Sequence, residues 1–285
     1  SANQHLERTI SASNRRTFTL SAWVKHSSTD NNDRLLGNYT DSSNYSSFYF
    51  RDDPDFQISF VELVSGSYNI NAHSRRMARD TGWYHIVWAV DTTQATDTDR
   101  VKLYVNGVQE TLNAAYSSGT LNTNAPTLPS QNYDTRILAA YDLRVGARSG
   151  TDCWDGLMSQ FYVIDGQALG PEYFGFTDPL TNTWKPKKYT GTFGTNGFWL
   201  PMDGSAPIGQ DQSGQGNNYT PVNFGGSVEL DKATGAKPIL NTTQGGTQAG
   251  VGVFGSKQNV GYAVTVYDDG GGNKYYIDGV KQDTV

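Results

Sequence analysis

The chain has 285 residues, 36% hydrophobic and 18% charged, with 31 glycines and a formal net charge of −6. No stretch approaches the ~18 consecutive apolar residues of a membrane span, and no heptad pattern supports a coiled coil. The acidic balance and scattered basic residues argue against nucleic acid as a partner, because phosphate binding needs clustered Lys and Arg. With one cysteine, Cys153, no intrachain disulfide framework exists.

Taken in chain order, the first half predicts strands almost throughout. Thr17–Lys25 alternates apolar and polar residues with period two, placing Phe18, Leu20, Ala22 and Val24 on one side. Ser46–Arg51 and Phe56–Val64 are aromatic and β-branched runs separated by the turn chemistry of Asp52-Asp53-Pro54-Asp55. Trp83–Val90 is the strongest strand signal. Val101–Val105 then runs into Asn106-Gly107 and Val108–Glu110, a type I′ hairpin signal. Leu143–Ala147 and Leu157–Ile164 complete the set, and Gln167–Phe174 reads as one short helical turn. Closely spaced strands without a ten-residue helix predict an all-β, two-sheet antiparallel sandwich, with Trp23, Trp83 or Trp88 in its core.

Composition then changes. All twelve arginines lie between Arg8 and Arg148, and aliphatic alternation thins after about Asp165. The expected organisation is a sandwich over 1–168, an irregular Gly/Asn/Thr-rich arm over 169–259, and a β-hairpin over 260–285 that opens a further β-domain of a longer polypeptide. Trp184, Tyr189, Phe193, Phe198, Trp199, Tyr219 and Phe224 are too many large aromatics to leave in water. The arm is therefore expected to order against the sandwich or a neighbouring subunit.

Phe18–Lys25, Trp83–Val87 followed by Ala89-Val90-Asp91, Arg100–Gly107, and Trp154–Met158 with Tyr162–Leu169 occur in an order similar to the laminin-G-like branch of the concanavalin A-like lectin/glucanase sandwiches. That resemblance implies a jelly-roll fold. Asp91–Thr96, Ser130–Thr135, Trp184–Gly191 and Asp211–Pro221 further resemble large virion proteins of marine bacteriophages. This second resemblance implies a virion component carrying a laminin-G-like module, and an origin in a phage particle.

The chemistry-bearing residues point away from catalysis. The five glutamates, Glu7, Glu62, Glu110, Glu172 and Glu229, are isolated, whereas a glycosidase needs two facing carboxylates. Asp152 and Asp155 flank Trp154 at a loop-to-strand junction and read as turn residues. Cys153 has no basic activator in the sequence, and His5, His26, His73 and His85 show no metal spacing. No cofactor is expected. Calcium is the ion whose oxygen chemistry suits Asp30-Asn31-Asn32-Asp33, Asp52–Asp55 and Asp97-Thr98-Asp99, and ordinary turn chemistry is the competing reading.

Polar aromatic loops carry the recognition argument. Tyr39, Tyr45, Tyr116, Asn132, Tyr133 and Asp134 pair rings with amides and a carboxylate, the combination that binds a sugar's C–H face and hydroxyls. A subunit interface is the other reading of the same residues. The expectation is a non-enzymatic virion component, a tail-fibre or related fibre protein. It would be a homo-oligomer, as a trimer, and would touch other virion proteins and a host-surface glycan. The alternatives are a capsid-decorating or tail-joining protein without glycan binding, and a cell-surface adhesin.

Overall fold

The computed structural model describes residues 3–26, 32–52, 54–79, 82–116, 120, 122–150, 152–204, 206–224, 264–268, 273–277 and 280–282. Two antiparallel sheets face each other. One has eight strands: β1 (His5–Thr9), β3 (Asp33–Asp41), β4 (Asn44–Phe50), β5 (Gln57–Val64), β6 (Ser67–Met77), β10 (Leu112–Asn113), β11 (Asp142–Val145) and β16 (Thr220–Val222). Their order is β10-β6-β5-β4-β3-β11-β1-β16. The other has six: β2 (Thr17–His26), β7 (Tyr84–Asp91), β8 (Val101–Val105), β9 (Val108–Glu110), β12 (Gly156–Asp165) and β15 (Phe198–Leu200). These run β15-β12-β2-β7-β8-β9. The fold is an all-β sandwich, as the alternation predicts.

The period-two pattern decides which side chains meet between the sheets. Phe18, Leu20, Trp88, Leu103 and Phe161 come from the six-stranded sheet; Leu36, Phe48, Phe60, Ile70 and Val145 come from the eight-stranded one. Phe48 stacks on Phe60 at 4.0 Å between centroids, and Trp88 reaches across to both, at 5.8 and 6.0 Å. Of the three tryptophans expected in the core, Trp88 is fully buried and Trp83 is 43% exposed. Asn106 and Gly107 take φ of 50° and 83°, the type I′ turn their identities predict, between β8 and β9. The short 3-10 turn at Pro171–Tyr173 lies where one helical turn was expected.

The centre of the six-stranded sheet is buried on both faces. On β7 every residue from Tyr84 to Val90 is buried. Val87, Tyr162 and Ile164 project away from the main core and are covered by Phe174, Tyr189 and Phe193. Tyr162 stacks flat on Trp199, 3° from parallel. This outer layer is the stretch expected to be an arm. It contributes β13 (Gly175–Thr177) and β14 (Trp184–Pro186), which pair with each other, and supplies β15 and β16 to the two sheets. None of the seven aromatics from Trp184 to Phe224 is exposed. A compact unit therefore runs from Ser1 to Gly226. At its rim β16 pairs with β1, His5 opposite Val222 and Glu7 opposite Thr220.

Side-chain oxygens lock the layer in place. Asp211 accepts hydrogen bonds from the backbone N–H groups of Trp199, Ser213 and Asn217 and from the Ser213 hydroxyl. Asn217 donates to the carbonyls of Thr195 and Gly197. The Asp211–Asn218 stretch is thus a folding device whose carboxylate is fully engaged. Trp184 donates its indole N–H to His85 Nδ1 at 2.9 Å. Its ring fits only because Gly107 and Gly175 lack side chains: a Cβ would lie 2.8 and 2.4 Å from it.

A second compact unit spans Ser227–Val285. Its described part is a three-stranded antiparallel sheet of β17 (Val264–Asp268), β18 (Asn273–Ile277) and β19 (Val280–Gln282), in that order. Residues 225–259 of the expected arm lie outside the described residues.

Two outcomes follow from the packing. Phe193→Ala should lower unfolding free energy by about 3 kcal/mol, read from urea midpoints; a change below ~0.5 kcal/mol would mean the outer layer does not fold with the sandwich. The second concerns His73 and His85. Burial lowers the pKa of each to about 3, with Arg51 adding to the effect at His73. Both rings are neutral when folded and protonate near pH 6.5 when unfolded. The unfolded chain thus gains two extra protons as pH falls from 6.5 towards 3. Stability is full above pH 6.5 and declines across that window, on the order of 1 kcal/mol per pH unit for each ring. Urea midpoints at pH 7, 5.5 and 4.5 test this, and a flat profile would refute it.

Candidate functional site

The outer face of the eight-stranded sheet brings two of the six sequence-predicted residues, Tyr39 and Tyr45, together with arginines and a carboxylate. Its side chains follow from register. Tyr39 on β3 lies opposite Tyr45 on β4; Tyr45 lies opposite Leu63 on β5, and Leu63 opposite Tyr68 on β6. Two residues along β4, Ser47 sits between Gly37 and Val61, and Tyr49 then sits between Arg34 and Ser59. A bulge in β3 between Arg34 and Leu36 lets both Leu35 and Leu36 bury completely while Arg34 stays beside Tyr49.

One loop crosses this face. Gly146 N–H bonds to the Leu35 carbonyl, and Ala147 bridges to Cys153. The crossing needs Gly37: a Cβ there would lie 2.8 Å from the Ser46 carbonyl oxygen and 3.0 Å from Arg148 Cα. The loop lays the Arg148 guanidinium 4.3 Å from the Tyr45 ring centroid and 5.3 Å from that of Tyr39. Arg34 lies 4.0 Å over Tyr49. Such cation–π contacts stabilise by ~0.5–1 kcal/mol each, more where water is excluded. Tyr39 and Tyr45 are near-parallel, 29° apart with centroids at 6.4 Å.

Asp152 is the carboxylate on this cluster. It accepts from Arg148 Nη2, and the Arg34 guanidinium stands 4.0 Å from it. Burial lowers the Arg34 pKa, with the like charge of Arg148 acting in the same direction and Asp152 against it. Three buried polar atoms here have no hydrogen-bond partner among the described residues: Arg34 Nε, Arg148 Nε and Ser47 Oγ. Tyr39 and Tyr68 remain 37% and 51% exposed at the rim. Rings, planar donors and a hydroxyl on one face are the complement of a polyhydroxylated ligand.

The six residues singled out from sequence fall in three places. Tyr39 and Tyr45 share this face. Asn132, Tyr133 and Asp134 form a separate loop: the Asn132 N–H bonds to the Thr92 carbonyl, and Asp134 pairs with Arg16 at 2.7 Å. The Tyr133 hydroxyl donates to Glu62 at 2.7 Å and accepts from Asn69. Glu62 lies on the opposite side of the sheet from Tyr45, so Tyr133 works as a strut at a buried carboxyl. Burial pushes the Glu62 pKa up, against the hydrogen bonds from Tyr133 and the Arg136 N–H. Tyr116 is 4% exposed, with its hydroxyl donated to the Arg75 carbonyl.

Sequence reasoning missed Arg34, Tyr49, Tyr68, Arg148 and Asp152 as site residues. The alternation Tyr45-x-Ser47-x-Tyr49 carried a signal for Tyr49. Nothing local could signal Arg148 and Asp152, because their place depends on a crossing loop. Among the described residues no group of three or more His, Cys, Asp and Glu converges. Of the expected calcium loops, Asp33 is buried beside His26 at 3.7 Å, and Asp99 pairs with Lys102; Asp30, Asn31 and Asp53 lie outside the described residues. Burial and Asp152 both raise the Cys153 pKa, the opposite of activation.

A model of the family Laminin_G_3, described as the concanavalin A-like lectin/glucanases superfamily, matches residues 2–172. Among solved structures, a putative carbohydrate binding protein from Bacteroides ovatus aligns at 15% identity over 77% of this chain and 56% of its own, with a TM-score of 0.46. A SAP-like pentraxin from Limulus polyphemus aligns at 16% identity over 58% and 71%, with a TM-score of 0.37. Domains LG4-5 of the mouse laminin alpha1 chain align at 8% identity over 70% and 45%, with a TM-score of 0.36. No curated protein matches the chain.

Gly37→Ala tests the loop crossing. The methyl group meets backbone on two sides, so a destabilisation of about 1–3 kcal/mol and a change in tyrosine near-UV circular dichroism are expected. An unchanged spectrum and midpoint would mean the loop does not need the glycine.

Proposed function

Because this chain belongs to the concanavalin A-like lectin/glucanases superfamily through residues 2–172, we propose that it is a non-enzymatic binding module that holds saccharides on the outer face of its eight-stranded sheet. The observation that carries the reading is the Tyr39–Tyr45 pair, set beside Arg148 and open to solvent at Tyr39. Aromatic rings offer area for a sugar's C–H face at low entropic cost, and guanidinium N–H groups meet its oxygens. The non-enzymatic part rests on how the carboxyls are used. Glu62 is buried beneath Tyr133, Glu7 pairs with Arg144, Glu110 pairs with Arg76, and Asp152 pairs with Arg148.

The setting proposed is a bacteriophage virion, in a tail fibre or related fibre built as a trimer. It rests on the sequence resemblance of Trp184–Gly191 and Asp211–Pro221 to phage virion proteins. Repetition on such a fibre raises avidity without tight individual sites. A second reading, contact with other virion proteins, is favoured by a row on the six-stranded sheet. Leu157, opposite Lys25, and Trp83, just before β7, are 50% and 43% exposed.

Titration calorimetry and glycan arrays with the intact chain test the first reading. Tyr39→Ala and Tyr45→Ala should each weaken saccharide binding about tenfold, ~1.4 kcal/mol, with the fold retained by far-UV circular dichroism. No saccharide bound by a folded, array-immobilised protein would overturn it. Protein-dependent release of reducing ends from polysaccharide would overturn its non-enzymatic part.

A further inference from the structure

The arginines on the tyrosine face are charged in excess of their partner. Among the described residues Arg34 and Arg148 both bear on one carboxylate, Asp152, which leaves one positive charge over in a chain whose net charge is −6. That excess is held out of water: the side chains of Arg34 and Arg148 are 10% and 18% exposed. Each keeps a buried Nε–H with no acceptor, and Ser47, fully buried between the two arginine-bearing rows, has an unpartnered hydroxyl. Buried donors without acceptors are expensive, and a guanidinium presents its donors in a planar fork that fits a carboxylate or sulfate in two-point fashion. The group already in that position is the Asp152 carboxylate, itself 34% exposed and carried on the crossing loop. It occupies the cluster as an internal stand-in for an external anion.

We infer that the outer-face site selects acidic saccharides, taking a uronate carboxylate or a sulfate ester between Arg34 and Arg148 while Tyr39 and Tyr45 hold the sugar ring. This rests on the reading of that face as saccharide-binding and adds the ligand's charge to it. Geometry supplies the division of labour. Arg148 stands over both exposed-side tyrosines, so an anion at its guanidinium brings the attached ring within reach of Tyr39 at the open rim. Asp152 competes with the ligand's anion, which gives the model a sign that a simple structural ion pair lacks.

The test uses the full chain and three probes: an oligogalacturonate, the same oligomer fully methyl-esterified, and inorganic sulfate. At low salt the acidic oligomer should bind at least tenfold tighter than its neutral ester, and that preference should shrink as salt rises. Arg148→Gln and Arg34→Gln should abolish the preference, so that the acidic oligomer binds no tighter than its neutral ester. Asp152→Asn should tighten the acidic probe several-fold and widen its preference over the neutral ester. Melting curves accompany each variant, since Arg34 is largely buried; Arg148→Gln and Asp152→Asn carry the test if Arg34→Gln does not fold. Equal affinity for acidic and neutral oligomers, with dependence on Tyr39 retained, overturns the charge selection and leaves saccharide binding standing. Binding of neither oligomer overturns both. Weaker acidic binding in Asp152→Asn, or sulfate alone binding as tightly as the acidic oligomer, also overturns the inference.

Discussion

The centre of the six-stranded sheet is buried on both faces, and most of the architecture answers to that. A sandwich covers one face of each sheet; Val87, Tyr162 and Ile164 project from the other face of this one. Leaving them in water would forfeit roughly 25 cal/mol for each Å² of apolar surface. The chain supplies a third layer from Phe174 to Trp199, pinned by Asp211, Asn217 and the Trp184–His85 hydrogen bond. On the outer side of the eight-stranded sheet a crossing loop lies over the strands, and Tyr39 and Tyr68 reach solvent at its rim.

The same constraint explains what the sequence made legible. Phe18-x-Leu20-x-Ala22-x-Val24 announces one buried face, and β2 has it. Asn106-Gly107 can adopt positive φ cheaply, and both residues do. The seven aromatics after residue 183 demanded a partner, and burial in the outer layer and sheets supplies it. Which partner was not readable, because a contact such as Trp184 with His85 spans 99 positions.

The site was half legible. Tyr39 and Tyr45 are cross-strand neighbours on a tight hairpin, so their nearness follows from local sequence. Arg34 joins them only through a bulge, which alternation rules do not foresee. Arg148 and Asp152 arrive from a loop more than a hundred residues away, admitted by the missing side chain of Gly37. Tyr116 and Tyr133 looked alike in composition, yet hydrogen bonds to the Arg75 carbonyl and to Glu62 turn their hydroxyls inward. A polar aromatic loop can serve recognition or internal bracing, and the partner of the hydroxyl distinguishes the two.

The pairing of β1 with β16 has a mechanical consequence. His5 lies opposite Val222, and the Asn223 side chain reaches the Asn3 carbonyl, so the two ends of the described sandwich leave it side by side. Tension applied between residues 3 and 224 therefore does not stretch the sandwich along its strands. It peels β16 from β1 one hydrogen bond at a time, as a zipper opens, at far lower force than sliding the strands past each other would need. A module tied in this way hangs beside the line of load. It can shed its edge strand under pull while Tyr39 and Tyr45, two and three strands further into the sheet than β1, keep their places.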